Sequence, residues 1–158
     1  MKLTESKEMI AIWGPVSQAA IAELKQSKSL ILIPEHRPFL LGLKHNLPLL
    51  KSEGVDLMYC NDNVLGLLFY KGKIKETLLF YKEKKEDGLI CICGSLYVSL
   101  LSKLHNVPIK TFLQNNVDFS LLDKGASTLE GKDFVLEENK ENYIIEASDE
   151  FLPQEVLN

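Results

Sequence analysis

Four consecutive aliphatic residues, Leu30 to Ile33, place the strongest constraint on how this chain folds. A run without polar alternation is typical of a parallel strand that is buried on both faces. Pro34 has no N–H to donate and should end the strand. Glu35, His36 and Arg37 then follow where the chain leaves the sheet. Because ligands of open α/β sheets bind outside the carboxyl ends of strands, these three residues are candidate ligand-binding residues.

Strand-like and helix-like patterns alternate on both sides of this run. We predict strands at Met9–Trp13, Leu30–Ile33, Val55–Cys60, Thr77–Tyr81 and Val107–Leu113. Helices are predicted between them, including one from about Pro38 to Ser52 that Pro48 kinks or splits. The residues from Lys82 to Asp87 are predicted to form a charged loop. This alternation predicts an α/β fold with a mostly parallel sheet and helices on both faces.

The 158 residues are enough for one domain with a substantial core. We therefore expect a single domain over residues 1–158, with its core at about 9–113 and a looser segment at 114–158. Within that segment, Asn142 to Glu146 looks like a late strand, and Phe151-Leu152-Pro153 is expected to pack back on the domain.

Composition excludes several classes of function. The net charge of −4 gives no electrostatic reason to expect a nucleic-acid partner. No apolar run is long enough to span a membrane. The three cysteines have no framework spacing, which fits a reducing cytoplasm. Cys91 and Cys93 lack a second pair of ligands in the sequence, so we expect no metal and no other cofactor.

A second candidate position is the turn from Trp13 to Ser17, where a strand gives way to a helix. Free backbone amides at such a turn point toward the carboxyl edge of the sheet and can hold an anion. Gly14 and Ser17 are the candidate ligand-binding residues there. The alternative is a tight turn without a ligand, which a single glycine favours.

The stretch from Glu35 to Gly42 resembles the E-T/S-R-P-x-x-x-G motif of one protein family. That family comprises methylthioribose-1-phosphate isomerases, archaeal ribose-1,5-bisphosphate isomerases and regulatory subunits of the guanine-exchange factor of translation initiation factor two. Further segments similar to the family follow in order at nearly the right spacing. They are Ile10–Ser17, Leu47–Asp62, Asp87-Gly88 with Gly94-Ser95, and Leu101–Pro108. The similarity extends from about Ile10 to Phe112.

The resemblance implies the Rossmann-like C-terminal domain of these proteins, without their N-terminal helical domain. It also implies a homodimer, because family members associate through this domain. The family's "GT" position falls on Gly94 and Ser95, and its catalytic aspartate falls on Lys82. These three residues join the candidate ligand-binding set by resemblance.

Several departures from the isomerase pattern bear on catalysis. The family's catalytic cysteine has no counterpart between Ile12 and Ser17. Lys82 replaces the aspartate, and Cys91 and Ile92 replace a phosphate-binding Asn-Lys pair. A ring-opening isomerisation needs a proton donor and acceptor beside the sugar, and the residues that would supply them are missing. The catalytic residues are therefore unknown.

Two functions remain open at this stage. The first is a non-catalytic regulatory or binding module that binds a phosphorylated metabolite. The second is a divergent isomerase of sugar phosphates that would use Glu35, His36, Arg37 and Lys82. Arg37 itself has two possible roles: it binds an anion through its planar fork, or it pairs with Glu35 and fixes the corner before the helix.

Overall fold

The fold is organised around one long strand, β4 (Ile74–Lys85), which pairs with three other strands. The computed structural model describes residues 8–37, 39–118 and 149–157, and the backbone alone of 128–129, 132–133, 135–138 and 141–144. The other strands are β1 (Met9–Trp13), β2 (Leu30–Pro34), β3 (Leu57–Cys60), β5 (Gly88–Ile92), β6 (Ile109–Leu113), β7 (Thr128–Leu129), β8 (Lys132–Asp133), β9 (Val135–Glu138), β10 (Glu141–Ile144) and β11 (Asp149–Pro153). The helices are α1 (Gln18–Ser27), α2 (Leu47–Ser52), α3 (Val64–Tyr70) and α4 (Ser95–Leu104), with a π-helical segment at Gly42–Asn46 and a 3₁₀ turn at Gln154–Val156.

Seven strands form the main sheet, in the order β11-β5-β4-β1-β2-β3, with β6 beside β4. Strands β1, β2, β3, β4 and β6 run parallel to one another. Strands β5 and β11 pair antiparallel. The predicted α/β class with a mostly parallel sheet is confirmed. The buried strand β2 is interior, as expected, but β4 rather than β2 is the strand with the most neighbours.

Each face of the sheet carries its own apolar core. Alternate residues of β1 divide between them: Met9 and Ala11 face one cluster, whereas Ile10 and Ile12 face the other. Helices α3 and α4 cover the first cluster, and helices α1 and α2 contribute to the second. This two-sided burial explains the unbroken aliphatic run of β2, because every side chain of that strand meets a core.

The predicted charged loop from Lys82 to Asp87 is wrong. Strand β4 continues through these residues to Lys85 and turns back into β5 as an antiparallel hairpin. The register shifts between Tyr81 and Glu83, so Lys82 is the extra residue of a bulge. A hairpin that projects beyond the sheet leaves its side chains in solvent, and charged residues are then compatible with a strand.

The helix expected from Pro38 to Ser52 is interrupted. Residues Gly42–Asn46 are π-helical, and Leu47 donates its backbone N–H to the Gly42 carbonyl, before α2 begins. Pro48 cannot donate to the preceding turn, so a wider turn on its N-terminal side accommodates the missing hydrogen bond. Pro38 lies outside the described residues.

The C-terminal segment returns to the domain as predicted. Strand β11 pairs with β5, and Leu152 is fully buried. The late strand is confirmed as β10, although residues 145 and 146 lie outside the described part of the chain. Within the described residues, no helix combines the length and the apolar character needed to cross a membrane.

Candidate functional site at the carboxyl edge of the sheet

The predicted candidate residues converge on the carboxyl edge of the sheet. Parallel strands β1, β2 and β3 end next to one another at Trp13, Pro34 and Cys60. The loops that carry Gly14, Glu35 and Asp62 therefore start side by side. Helix α4 begins at the same edge, because the Gly94 position lies against the ring of Trp13.

His36 is a buried link between the ends of β1 and β2. Its side chain is 1% exposed; Nε2 accepts the backbone N–H of Gly14 at 2.9 Å, and Nδ1 lies 2.7 Å from the Pro34 carbonyl oxygen. Since an amide can only donate, Nε2 is unprotonated and Nδ1 carries the proton. Burial lowers the pKa of His36 to about 4, against the hydrogen bond to Pro34. His36 is thus neutral and fully hydrogen-bonded.

The turn after β1 has its amides occupied by side chains. His36 takes the Gly14 N–H, and Asn46 Oδ1 accepts the Val16 N–H at 3.0 Å. Asn46 also donates through Nδ2 to the Gly14 carbonyl at 2.9 Å, and Pro15 has no N–H. The geometry is therefore that of a tight turn braced by side chains, in which the amides of Gly14 and Val16 are already bound. Ser17 is the N-cap of α1, and its hydroxyl has no partner within the described residues.

Trp13 fills the space between this turn and helix α4. Its ring centroid is 4.3 Å from that of His36, and its Nε1 donates to the Cys93 carbonyl at 3.1 Å. A Cβ at Gly94 would come within 2.2 Å of the indole, and Gly94 has a φ of +90°. Glycine is therefore needed there for both packing and conformation.

Asp62 and Arg37 fix the corner after β2. The two carboxylate oxygens of Asp62 accept the backbone N–H groups of His36 and Arg37, each at 2.9 Å. Arg37 Nε donates to Glu35 Oε1 at 2.9 Å, and the Arg37 side chain is 55% exposed. Burial raises the pKa of Asp62, and the two donating amides oppose that shift. The contact with Glu35 is the one expected if Arg37 fixes the corner.

The N-terminus of α4 also receives a carboxylate of the chain itself. Glu150 Oε1, from β11, accepts the backbone N–H of Leu96 at 2.5 Å. The hydroxyl of Ser95 is buried and donates to the Ile92 carbonyl at 2.6 Å. Lys82 forms an exposed ion pair with Asp149 at 2.7 Å. Strand β11 therefore supplies two acidic partners to this part of the edge.

The structure brings some of the candidate residues together and leaves others apart. Gly14, His36 and Gly94 are joined by direct contacts or through Trp13, whereas Lys82 is engaged with β11. Sequence reasoning missed the following contributors: Trp13, Asn46, Asp62 and Glu150. Asp62 lies two residues after β3, a neighbour of β2, and Asn46 is a polar residue on a buried helical face, so both could have been found from the sequence. The role of Glu150 depends on the pairing of β11 with β5, which are distant in the sequence, so no local pattern could have indicated it.

The cysteines show no sign of reactivity. Burial raises the pKa of both Cys60 and Cys91 to about 12. A thiol must lose its proton to act as a nucleophile, so these two are inert at neutral pH. Within the described residues, no group of three histidine, cysteine or acidic side chains could hold a metal ion.

This fold, with its loops gathered at the carboxyl edge, defines a Rossmann-like α/β domain. Its structure is similar to translation initiation factor eIF-2B, subunit delta, from Archaeoglobus fulgidus, with a TM-score of 0.71 and 14% identity over 98% of this chain and 52% of that one. It is also similar to 5-methylthioribose 1-phosphate isomerase from Pyrococcus horikoshii, with a TM-score of 0.68 and 13% identity over 98% and 50% of the two chains.

Sequence comparison identifies the particular relatives. The chain is 28% identical over 126 residues to methylthioribose-1-phosphate isomerase of Thermosipho melanesiensis, covering 79% of this chain and 34% of that protein. It is 25% identical over 97 residues to a protein of Archaeoglobus fulgidus named as a putative isomerase of the same kind, covering 61% and 29%. No family model matches. The chain spans about a third of these curated relatives, and the resemblance seen in the sequence is confirmed over that part.

We predict that Asp62 matters more to stability than Arg37. Asp62→Ala leaves two backbone N–H groups without their acceptor and should lower the free energy of unfolding by about 1–3 kcal/mol. Arg37→Lys, the control, keeps the positive charge beside Glu35 and should cost less than about 1 kcal/mol. Urea unfolding of both variants measures the difference. Equal losses would mean that the Asp62 contacts do not fix this corner.

We also predict that His36 makes stability depend on pH. The pKa of His36 is lowered to about 4 in the folded chain, against about 6.5 when unfolded, so the unfolded chain binds the extra proton as the pH falls. The free energy of unfolding should therefore drop between about pH 6.5 and pH 4, by about 3 kcal/mol. Urea unfolding across this range should show a smaller drop in His36→Gln than in the His105→Gln control.

An NMR titration of the His36 ring gives the same answer without a variant. A ring that takes up its proton near pH 6.5 in the folded protein would contradict the prediction.

Proposed function

We propose that this chain is a non-catalytic regulatory or binding module. The observation that supports this most is that five amides at the carboxyl edge, those of Gly14, Val16, His36, Arg37 and Leu96, are bound by the chain's own side chains. His36 and Asn46 hold the turn after β1, Asp62 holds the corner after β2, and Glu150 holds the N-terminus of α4. In an enzyme that acts on a sugar phosphate, such donors face the substrate.

The ionisable groups support the same proposal. Catalytic proton transfer requires a side chain within reach of the substrate and with a pKa near the working pH. His36 is buried and has both ring nitrogens bound, and both oxygens of Asp62 are engaged by amides. Lys82, at the position of the family's catalytic aspartate, is paired with Asp149. No free acid–base pair is left among these candidates.

A phosphorylated metabolite is the ligand that the family resemblance favours for this module. To reach the N-terminus of α4, its phosphate would have to displace the carboxylate of Glu150. The binding site would then be formed by Arg37 and the freed amide of Leu96, with the remaining candidate residues as a supporting frame. The phosphate of the ligand and the carboxylate of Glu150 would thus compete for the same amide.

The second candidate function is a divergent isomerase of sugar phosphates. It is favoured by the curated relatives, which are named as methylthioribose-1-phosphate isomerases. Glu35 is 8% exposed and would be the acid or base nearest to Arg37 in such a site. Its carboxylate is engaged by Arg37, so this function requires the corner to rearrange.

The free cysteines and the apolar surface add two parts to the proposal. Cys60, Cys91 and Cys93 are free thiols, which fits a cytoplasmic location. Exposed apolar side chains lie on α3 and α4, which pack against each other, and we propose that they form the interface of a homodimer. The six residues of this α3–α4 face are Val64, Leu67, Tyr70, Tyr97, Leu100 and Leu104.

Incubation with 5-methylthioribose 1-phosphate tests the function. We expect no conversion to the ketose, and measurable conversion would overturn the proposal. A thermal-shift screen of sugar phosphates and nucleotides tests binding, because a bound ligand stabilises by about 2.7 kcal/mol at a hundredfold excess over Kd. Trp13, the only tryptophan, reports by fluorescence whether a ligand reaches this edge.

The same screen includes a variant of the competing carboxylate. Glu150→Ala should bind a phosphorylated ligand more tightly than the wild type, whereas Glu155→Ala removes a carboxylate near the opposite end of α4 and does not free the Leu96 amide. If no phosphorylated compound stabilises either the wild type or Glu150→Ala, the proposal that the module binds such a ligand is contradicted.

Light scattering tests the homodimer. We expect the mass of two chains for the wild type and of one chain for Leu67→Glu, because a charge in an apolar interface is costly to bury. Leu113→Glu is the matched control, since Leu113 is also exposed, at 59%, but belongs to β6 and not to either helix. A wild-type monomer at high concentration would refute the homodimer.

A further inference from the structure

Among the residues that the structure describes, the outer edge of β6 is a row of backbone groups without a strand partner. Pro108 accepts the N–H of Thr77, and Gln114 donates to Tyr81, so the even-numbered residues between them face β4. In a parallel ladder, the N–H and C=O groups of Ile109, Thr111 and Leu113 must then point away from β4. Within the described residues, β6 pairs with β4 alone.

This edge borders a groove instead of open solvent. The hairpin of β4 and β5 and the C-terminal 3₁₀ turn stand on the other side of it. One end of the groove is a cleft of about 260 Å³ lined by Lys84, Leu89 and Thr111 among others. The other end is a cleft of about 80 Å³ that includes Lys103. Ile109 and Leu157 line both clefts, so the two are continuous.

The charge of the groove differs from that of the chain. The whole chain carries a net charge of −4, yet the described residues that line these two clefts include Lys84 and Lys103 and no carboxylate. Lys84 is exposed and forms no ion pair within the described part of the chain. Lys103 donates to the Glu155 backbone carbonyl, which leaves its positive charge unneutralised by that contact.

Nothing in the local sequence blocks strand addition here. Native edge strands are protected by proline, by inward-pointing charges or by bulges. Pro108 precedes β6, and its carbonyl faces β4. The side chain of Lys110 is held by Glu23 and Glu76, so it does not guard the outer edge. The apolar side chains of Ile109 and Leu157 can accept alternate side chains of an added strand.

We propose that this groove binds an extended, acidic peptide segment of a partner protein, which adds as a strand to the outer edge of β6. The outward backbone groups of β6 supply the main-chain hydrogen bonds. Lys84 and Lys103 select for carboxylates, and the apolar floor takes the alternate side chains. The site is separate from the carboxyl edge and does not depend on the proposed function there.

The binding test uses the full chain and a capped, fluorescein-labelled peptide of alternating valine and glutamate, about six residues long. Fluorescence anisotropy should show saturable binding that weakens with salt. The same peptide with glutamine in place of glutamate should bind about tenfold more weakly or worse. No binding of the acidic peptide up to about 1 mM would overturn the proposal, as would equal binding of the two peptides.

Two pairs of variants locate the site. Lys84→Glu should weaken binding at least about fivefold, whereas Lys75→Glu, an exposed lysine on the same strand, should stay within about twofold. Thr111→Pro removes an outward N–H and should weaken binding more than about tenfold, whereas Thr111→Val keeps that donor and should not. Equal effects within either pair would overturn the assignment to β6.

Light scattering of the same proteins distinguishes a different occupant. If Thr111→Pro dissociates an oligomer that Thr111→Val preserves, then a second copy of this chain occupies the edge and the peptide proposal fails. If both variants keep the mass of the wild type and Thr111→Pro loses peptide binding, the peptide proposal is supported.

Discussion

The hydrogen bond from the Gly14 amide to the imidazole of His36 is the contact on which the carboxyl edge depends. It joins the ends of the neighbouring strands β1 and β2 inside the protein, where an unpaired amide or ring nitrogen would be costly. The second ring nitrogen is bound to Pro34, and the ring packs on Trp13. His36 therefore acts as a structural bridge at a position where a sequence reading places a ligand-binding or catalytic group.

Side chains of the protein bind backbone amides at two further positions along the carboxyl edge. Asp62 accepts the amides of His36 and Arg37 after β2, and Glu150 accepts the amide of Leu96 in the first turn of α4. Helix N-termini and turns of this kind bind phosphate in many α/β proteins, since their amides point at the ligand. Here carboxylates of the chain itself take the position of an anion. The amides at these positions therefore have acceptors without a bound ligand.

The long strand β4 separates two regions of possible function. Its parallel half carries β1 and β6 and belongs to the ordinary α/β sheet. After the bulge at Lys82 it pairs with β5, and this hairpin together with the C-terminal 3₁₀ turn borders the groove beside β6. An extension of one strand thus makes a docking groove that is independent of the carboxyl edge. The family resemblance concerns that edge, whereas the groove follows from the hairpin.

The sequence by itself determined the parts of this protein that depend on local pattern. The aliphatic run of β2, the stop at Pro34 and the resemblance around Glu35 to Gly42 predicted a buried strand, its end and the similarity to the isomerases and initiation-factor subunits. Only the tertiary structure decided what the polar groups do. Asp62 and Glu150 reach amides that are distant in the chain, and the strand through Lys82 is held by pairing with β5. The spacing of apolar residues predicts a strand or a helix from the sequence, because the buried positions repeat with the geometry of that single element. Hydrogen-bond partners between distant residues cannot be predicted from such spacing, because they depend on which elements the fold brings together.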